Sequence, residues 1–180
     1  LDVLRLVRQE TGLPIVSELM DQREIGAIDA AVDIIQIGMR NALNYALLRD
    51  VGRLASRRPV LLKCGIGTTL DEFLCAADHI LCGGNSNVIL CLRGTIGISR
   101  ESRASLNVAD IPALRQRTHL PIVVDPSHVA GTRELVPAIA ASAVVAGADG
   151  LLVEVHHDPD GALCDGRQCL TPEHFRAMMH

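Results

Sequence analysis

Short runs of consecutive apolar residues alternate along the chain with longer stretches whose apolar positions recur at helical spacing. The runs predict strands over Pro14–Leu19, Asp33–Gly38, Pro59–Lys63, Asn87–Leu92, Pro121–Val124 and Gly150–Val155. The stretches between them predict helices over Gln22–Val32, Ala42–Arg57, Leu70–Leu81, Ala109–Arg117 and Arg133–Ala146. A last helix follows Thr171-Pro172-Glu173, and LDVLRLVRQE at the start reads as an amphipathic helix. The predicted order is six strands, each followed by a helix.

Near-continuous Val, Ile and Leu in the strands means a parallel sheet covered by helices on its faces. Two architectures use one, the doubly wound sheet and the (β/α)8 barrel. Charged or polar residues stand at the carboxyl ends of nearly all the strands rather than at one switch point, which favours the barrel. Gln36 and Glu18, polar and inside strands, suit inward-facing barrel positions. A barrel needs eight βα units and typically about 250 residues, and six are counted here. The expectation is an α/β fold, a TIM barrel lacking its first two units, with residues 1–180 as one domain carrying strands three to eight. The start at Leu1, inside a helical pattern, places the missing units at the front.

Composition narrows the function classes. With 48% hydrophobic residues in 180, the chain can bury one sizeable core. A net charge of −4, one Tyr, two Phe and no Trp leave neither a basic stripe for phosphate backbones nor rings to stack on bases, so nucleic acid is excluded as a partner. No run approaches the roughly 20 apolar residues of a membrane span, and the N-terminus does not read as a signal peptide. The six cysteines include no C-x-x-C pair, which fits a reducing, cytoplasmic setting and no zinc knuckle.

If the strands share one barrel, their carboxyl ends share one mouth. It then holds Glu18, Arg40, Lys63, Arg93, the Asp125–His128 cluster of LPIVVDPSHVAG, Glu154, His156 and Asp165. Singly, these are ordinary loop residues, and Asp125-Pro126 is a turn signal. As a set they form two groups. Arg40, Lys63 and Arg93 are cations at equivalent strand ends, a costly convergence unless a phosphate or carboxylate offsets it. His128, Glu154 and Asp165 offer an imidazole and two carboxylates, a mixed ligand set for Mn²⁺, Fe²⁺, Co²⁺ or Zn²⁺.

The stretches SELMD (17–21), QIGMRN (36–41), PVLLKCG (59–65), VILCLRG (88–94), THLPIVVDPSH (118–128) and AGADGLLVEVHHDPDGALCDGRQCLTPEHF (146–175) resemble, in order, the 3-deoxy-7-phosphoheptulonate (DAHP) synthases. The similar branch is the one related to 3-deoxy-octulosonate 8-phosphate synthases, and DPSH in place of DATH favours the heptulonate side. The resemblance implies a (β/α)8 barrel that condenses phosphoenolpyruvate with erythrose 4-phosphate, the first step of the shikimate route to aromatic amino acids. It implies divalent-metal ligands at His128, Glu154 and Asp165 and phosphoenolpyruvate-binding cations at Arg40, Lys63 and Arg93. Lys63 and His128 then carry catalytic roles, and the complete protein is expected to be a homo-oligomer.

Several positions depart from that pattern. A fourth metal ligand, a cysteine in a G-P-C-like first strand, and an early K-P-R-T-S-like loop match nothing here. Leu92 stands where many relatives have Glu, Ile96 where an R-T-F-like segment has Arg, and Arg167 and Cys169 replace Pro and Ser of a DGPQSL-like run. These changes bear on the aldose phosphate more than on phosphoenolpyruvate, and would also fit a synthase for a related 3-deoxy sugar acid. Lys63 could instead form a Schiff base, as strand-end lysines do in other barrel aldolases. The 180 residues by themselves are expected to be inactive, and the rival reading from another class is a catalytically silent, truncated or degenerate barrel.

Overall fold

The computed structural model describes residues 1–98 and 100–180. The chain forms two compact units, Leu1–Leu90 and Cys91–His180.

The first unit holds α1 (Asp2–Thr11), β1 (Val16–Glu18), α2 (Ile25–Ala31), β2 (Ile34–Ile37), α3 (Tyr45–Gly52), β3 (Val60–Lys63) and α4 (Leu70–Leu81). It also holds the start of β4 (Val88–Leu92), which runs on into the second unit. β1 pairs with β2 and β2 with β3, both parallel, with Val16 opposite Ile34 and Ile35 opposite Val60. Val60 N donates to Asn87 O at the entrance to β4. The second unit adds α5 (Asp110–Arg117), β5 (Ile122–Val124), α6 (Pro126–Ala130), α7 (Val136–Val145), β6 (Gly150–Leu151) and α8 (Pro172–Met178). There Asp125 N donates to Leu92 O, and β5 pairs with β6 in parallel. The strand order is β1 to β6 without a crossover, as a barrel requires and a doubly wound sheet does not.

Local chemistry sets the element ends. Helix α4 spans the expected residues because Thr69 and Glu72 close a capping box at its start. Helix α3 is shorter than its apolar pattern. The Asn44 side chain accepts from Leu47 N and so starts the helix at Tyr45. Beyond Gly52 the chain turns, and Arg57 takes a left-handed φ of 48°. At the start of α2, Asp21 caps a 3-10 turn over Gln22–Glu24, so the α-helix proper begins at Ile25. Its neighbour Arg23 holds the Asp21 carboxyl down at about 2.

The core of the first unit is built by Leu47, Leu48 and Val51 of α3, Phe73, Ala77 and Ile80 of α4, and Ile35, Ile37 and Leu62 of the strands, all buried. α3 and α4 touch through glycines. A Cβ on Gly52 would lie 2.4 Å from the Ile80 carbonyl oxygen, and one on Gly83 would lie 2.6 Å from the Gly52 carbonyl carbon. Both obstacles are backbone and cannot swing away. Gly52→Ala should therefore destabilise the chain by about 1–3 kcal/mol, the usual cost of overpacking. Urea unfolding measures it; a midpoint equal to that of the unsubstituted chain would show that the helices separate freely.

One device recurs in both units. Asp33, just before β2, donates its N–H to Ile15 O, and its carboxylate accepts from Ile15 N and pairs with Arg8. Asp149, just before β6, does the same with Ile122 and Arg115. In each case the aspartate pins the start of the preceding strand. The Arg8 side chain, then the Ile15 N–H, lower the Asp33 carboxyl; for Asp149 the Ile122 N–H leads and Arg115 follows.

Candidate functional site

The DPSH run of the second unit folds as a short helix rather than a loop. Asp125, 1% exposed, caps α6 by accepting from His128 N at 3.0 Å, and Pro126 occupies its first turn, where a missing N–H costs nothing. That cap presents the His128 ring. Its Nδ1 lies 2.8 Å from Asp125 Oδ2, yet the contact lacks hydrogen-bond alignment and Nδ1 is buried without a hydrogen bond.

The last strand ends at Leu151, short of the expected Val155. Leu152 N still donates to Val124 O, but Glu154 N turns to the Ser127 hydroxyl, 3.0 Å away, instead of a strand partner. Ser127 thus ties the segment after β6 to the helix after β5. Asp165 follows on a loop, in a left-handed conformation with φ 50°, and opens a 3-10 turn over Gly166–Gln168. Aspartate tolerates that conformation better than most side chains.

These three segments bring His128, Glu154 and Asp165 together, with one ligand atom of each lying within 4.8 Å of the others. His128 Nδ1 is 3.8 Å from Glu154 Oε1, and His128 Nε2 is 4.0 Å from Asp165 Oδ2. The donor chemistry and the unbonded buried ring nitrogen fit a first-row divalent cation. Two further side chains complete the cluster. Gln168 Nε2 donates to Glu154 Oε2 at 2.7 Å, and Arg103 Nη1 donates to Asp165 Oδ1 at 2.8 Å and to Gln168 Oε1 at 3.0 Å. Cys169 packs alongside, its Sγ 3.4 Å from Asp165 O. Burial, then the Glu154 and Asp165 charges, push its thiol up.

The three expected cations divide between the units. Arg93 follows β4 in the second unit and is 2% exposed. Lys63 ends β3 in the first unit, where all four residues are buried. Arg40 also belongs to the first unit, on a 3-10 turn after β2, and lines a cavity of about 430 Å³ with Asn41, Asn44, Gly65 and Thr68. A second cavity, about 310 Å³, opens beside Asp165 between Arg100, Arg103, Thr132 and Arg167.

Arg103, Gln168 and Ser127 were not among the sequence candidates. Ser127 lay inside the quoted motif and Gln168 beside Asp165, whereas no spacing rule connects Arg103 to a carboxylate 62 positions on. Among the described residues, no helix is long and apolar enough to cross a membrane.

Comparison with known proteins agrees along the whole chain. The family model described as the DAHP synthetase I family matches residues 1–180. The phospho-2-dehydro-3-deoxyheptonate aldolase of Thermotoga maritima is 40% identical over 179 residues, covering 99% of this chain and 52% of that protein. The 2-dehydro-3-deoxyphosphooctonate aldolase of Syntrophotalea carbinolica is 35% identical, over 94% of this chain and 64% of its own length. The crystal structure of the Thermotoga aldolase superposes with a TM-score of 0.95, covering 98% of this chain and 52% of that one. A truncated form of the Thermotoga synthase gives 0.94. The chain spans about half the length of the Thermotoga relative, and its fold is six βα units of the barrel type expected from the sequence.

Proposed function

We infer function from family, because the chain belongs to the DAHP synthetase I family along its 180 residues. We propose that residues 1–180 are strands three to eight of one (β/α)8 domain and that the protein condenses phosphoenolpyruvate with erythrose 4-phosphate, the entry step to aromatic amino acids. The observation that carries this reading is the meeting of His128, Glu154 and Asp165, with His128 Nδ1 buried and unbonded, inside the motifs that define the resemblance.

His128, Glu154 and Asp165 would hold Mn²⁺, Fe²⁺, Co²⁺ or Zn²⁺. When bound, such an ion supplies Lewis-acid polarisation of the aldehyde carbonyl, worth several kcal/mol of charge stabilisation. Arg40, Lys63 and Arg93 hold the carboxylate and phosphate of phosphoenolpyruvate, arginine as a fork and lysine as a point charge. Holding that anion orients its C3 toward the aldehyde carbon, an entropic advantage over collision in water. The new bond joins those two carbons, water adds at C2, and phosphate leaves from the resulting hemiketal as its C–O bond breaks. The enzyme is read as cytoplasmic and homo-oligomeric.

Incubating a complete barrel that carries these 180 residues with phosphoenolpyruvate, erythrose 4-phosphate and Mn²⁺ should consume phosphoenolpyruvate, followed by its ultraviolet absorbance. Chelator should stop the loss, and added Mn²⁺ restore it. Turnover that persists in excess chelator would refute the metal reading. An inert complete barrel at saturating Mn²⁺ would favour the silent reading. Borohydride with substrate should leave Lys63 unmodified; a trapped adduct would make the lysine a Schiff-base nucleophile.

A further inference from the structure

We propose that Arg103 and Gln168 are positioning residues that fix which oxygen of Glu154 and of Asp165 faces His128, an inference that rests on the metal reading of that triad. Each carboxylate has two oxygens, and their tasks are divided. Glu154 Oε1 and Asp165 Oδ2 are the atoms turned toward the imidazole. Their opposite oxygens, Oε2 and Oδ1, accept from Gln168 Nε2 and Arg103 Nη1. The two donors are themselves joined, since Arg103 Nη1 also donates to Gln168 Oε1. That bond dictates the amide's orientation. Flipped, Gln168 would turn its NH2 toward a guanidinium and its oxygen toward a carboxylate, two repulsions in place of two bonds. At 2% exposure the amide cannot exchange these bonds for bulk water.

The strut is anchored to the element that carries the third ligand. Arg103 N donates to Ala130 O and Ala104 N to Val129 O, stitching the arginine's backbone to the end of α6. Gly131 permits this approach: at φ 70° it follows the helix, and a Cβ there would lie 2.5 Å from the Arg103 Cβ. His128, through α6, and both carboxylates, through Arg103 and Gln168, therefore share one frame. Outer-shell bonds of this kind hold a ligand ready and are typically worth about tenfold to a hundredfold in metal affinity.

The variants must separate orientation from charge, because removing a cation would by itself favour a bound metal ion. Gln168→Leu leaves the charge unchanged, and Arg103→Lys keeps it while losing the fork that reaches both partners. The chain is titrated calorimetrically with Mn²⁺, and the visible bands of bound Co²⁺ report ligand geometry. Each variant should bind Mn²⁺ about tenfold to a hundredfold more weakly, with altered Co²⁺ bands. The double variant should lose less than the product of the two single losses, because both act through one strut. Urea unfolding of the metal-free chain should change little, as a purely structural role would not allow. Unchanged Mn²⁺ affinity in both variants overturns the positioning role alone. An unsubstituted chain that binds no Mn²⁺ overturns the metal reading, and this inference with it.

Discussion

His128→Ala should cost the chain on the order of a hundredfold in affinity for Mn²⁺, about one donor's share of a divalent site. The change is selective because α6 does not depend on the ring. The helix is capped through the backbone N–H of residue 128, which alanine retains, and alanine is the best helix former. The lost atoms are the imidazole nitrogens that face both carboxylates at about 4 Å. Asp165→Asn should have a similar effect, and is a cleaner variant than Asp165→Ala because asparagine also accepts a φ of 50°. Calorimetric titration with Mn²⁺, alongside urea unfolding, decides the matter. A dissociation constant unmoved by either substitution would remove the triad from metal binding.

Arg40→Ala should weaken phosphoenolpyruvate by about tenfold to a hundredfold, the loss of a charge-assisted hydrogen bond of about 1.5–3 kcal/mol. Among the three cations Arg40 is the one to test first. Arg93 and Lys63 are buried, so truncating either would also open space inside the protein and disturb the groups around it. Arg40 is exposed on the wall of its cavity, where truncation removes the cation with little else. Titration with phosphoenolpyruvate at saturating Mn²⁺ measures the effect. An unchanged dissociation constant would mean that Arg40 does not touch this substrate.

Much of the fold was legible because its strands are apolar, the central four largely buried, and the apolar positions of its helices recur at helical spacing. Each expected strand contains an observed one, and α4 was located to the residue by its periodicity. Two misread ends were decided by a single side chain. Asn44 displaced the start of α3, and the Ser127 hydroxyl drew Glu154 away from β6. Neither competition leaves a trace in hydrophobic spacing. In DPSH the sequence suggested a turn, whereas the aspartate and proline start a helix, since the same two residue types serve both purposes. The three candidate ligands were found because each ends or follows a strand. Arg103 was not, because it lies on a loop after β4 and meets Asp165 only through tertiary folding.

The uninterrupted strand order also bears on how the chain acquires its structure. Paired residues such as Val16 and Ile34, or Val123 and Gly150, are separated only by the one or two short helices between successive strands. Loop-closure entropy grows only slowly with length, so each such pairing costs about as much as the one before it. Within these six strands, each meets its successor as soon as the intervening helices have formed. Folding can therefore advance along the chain in the direction of synthesis, each new βα segment docking on an edge that the previous one has just completed.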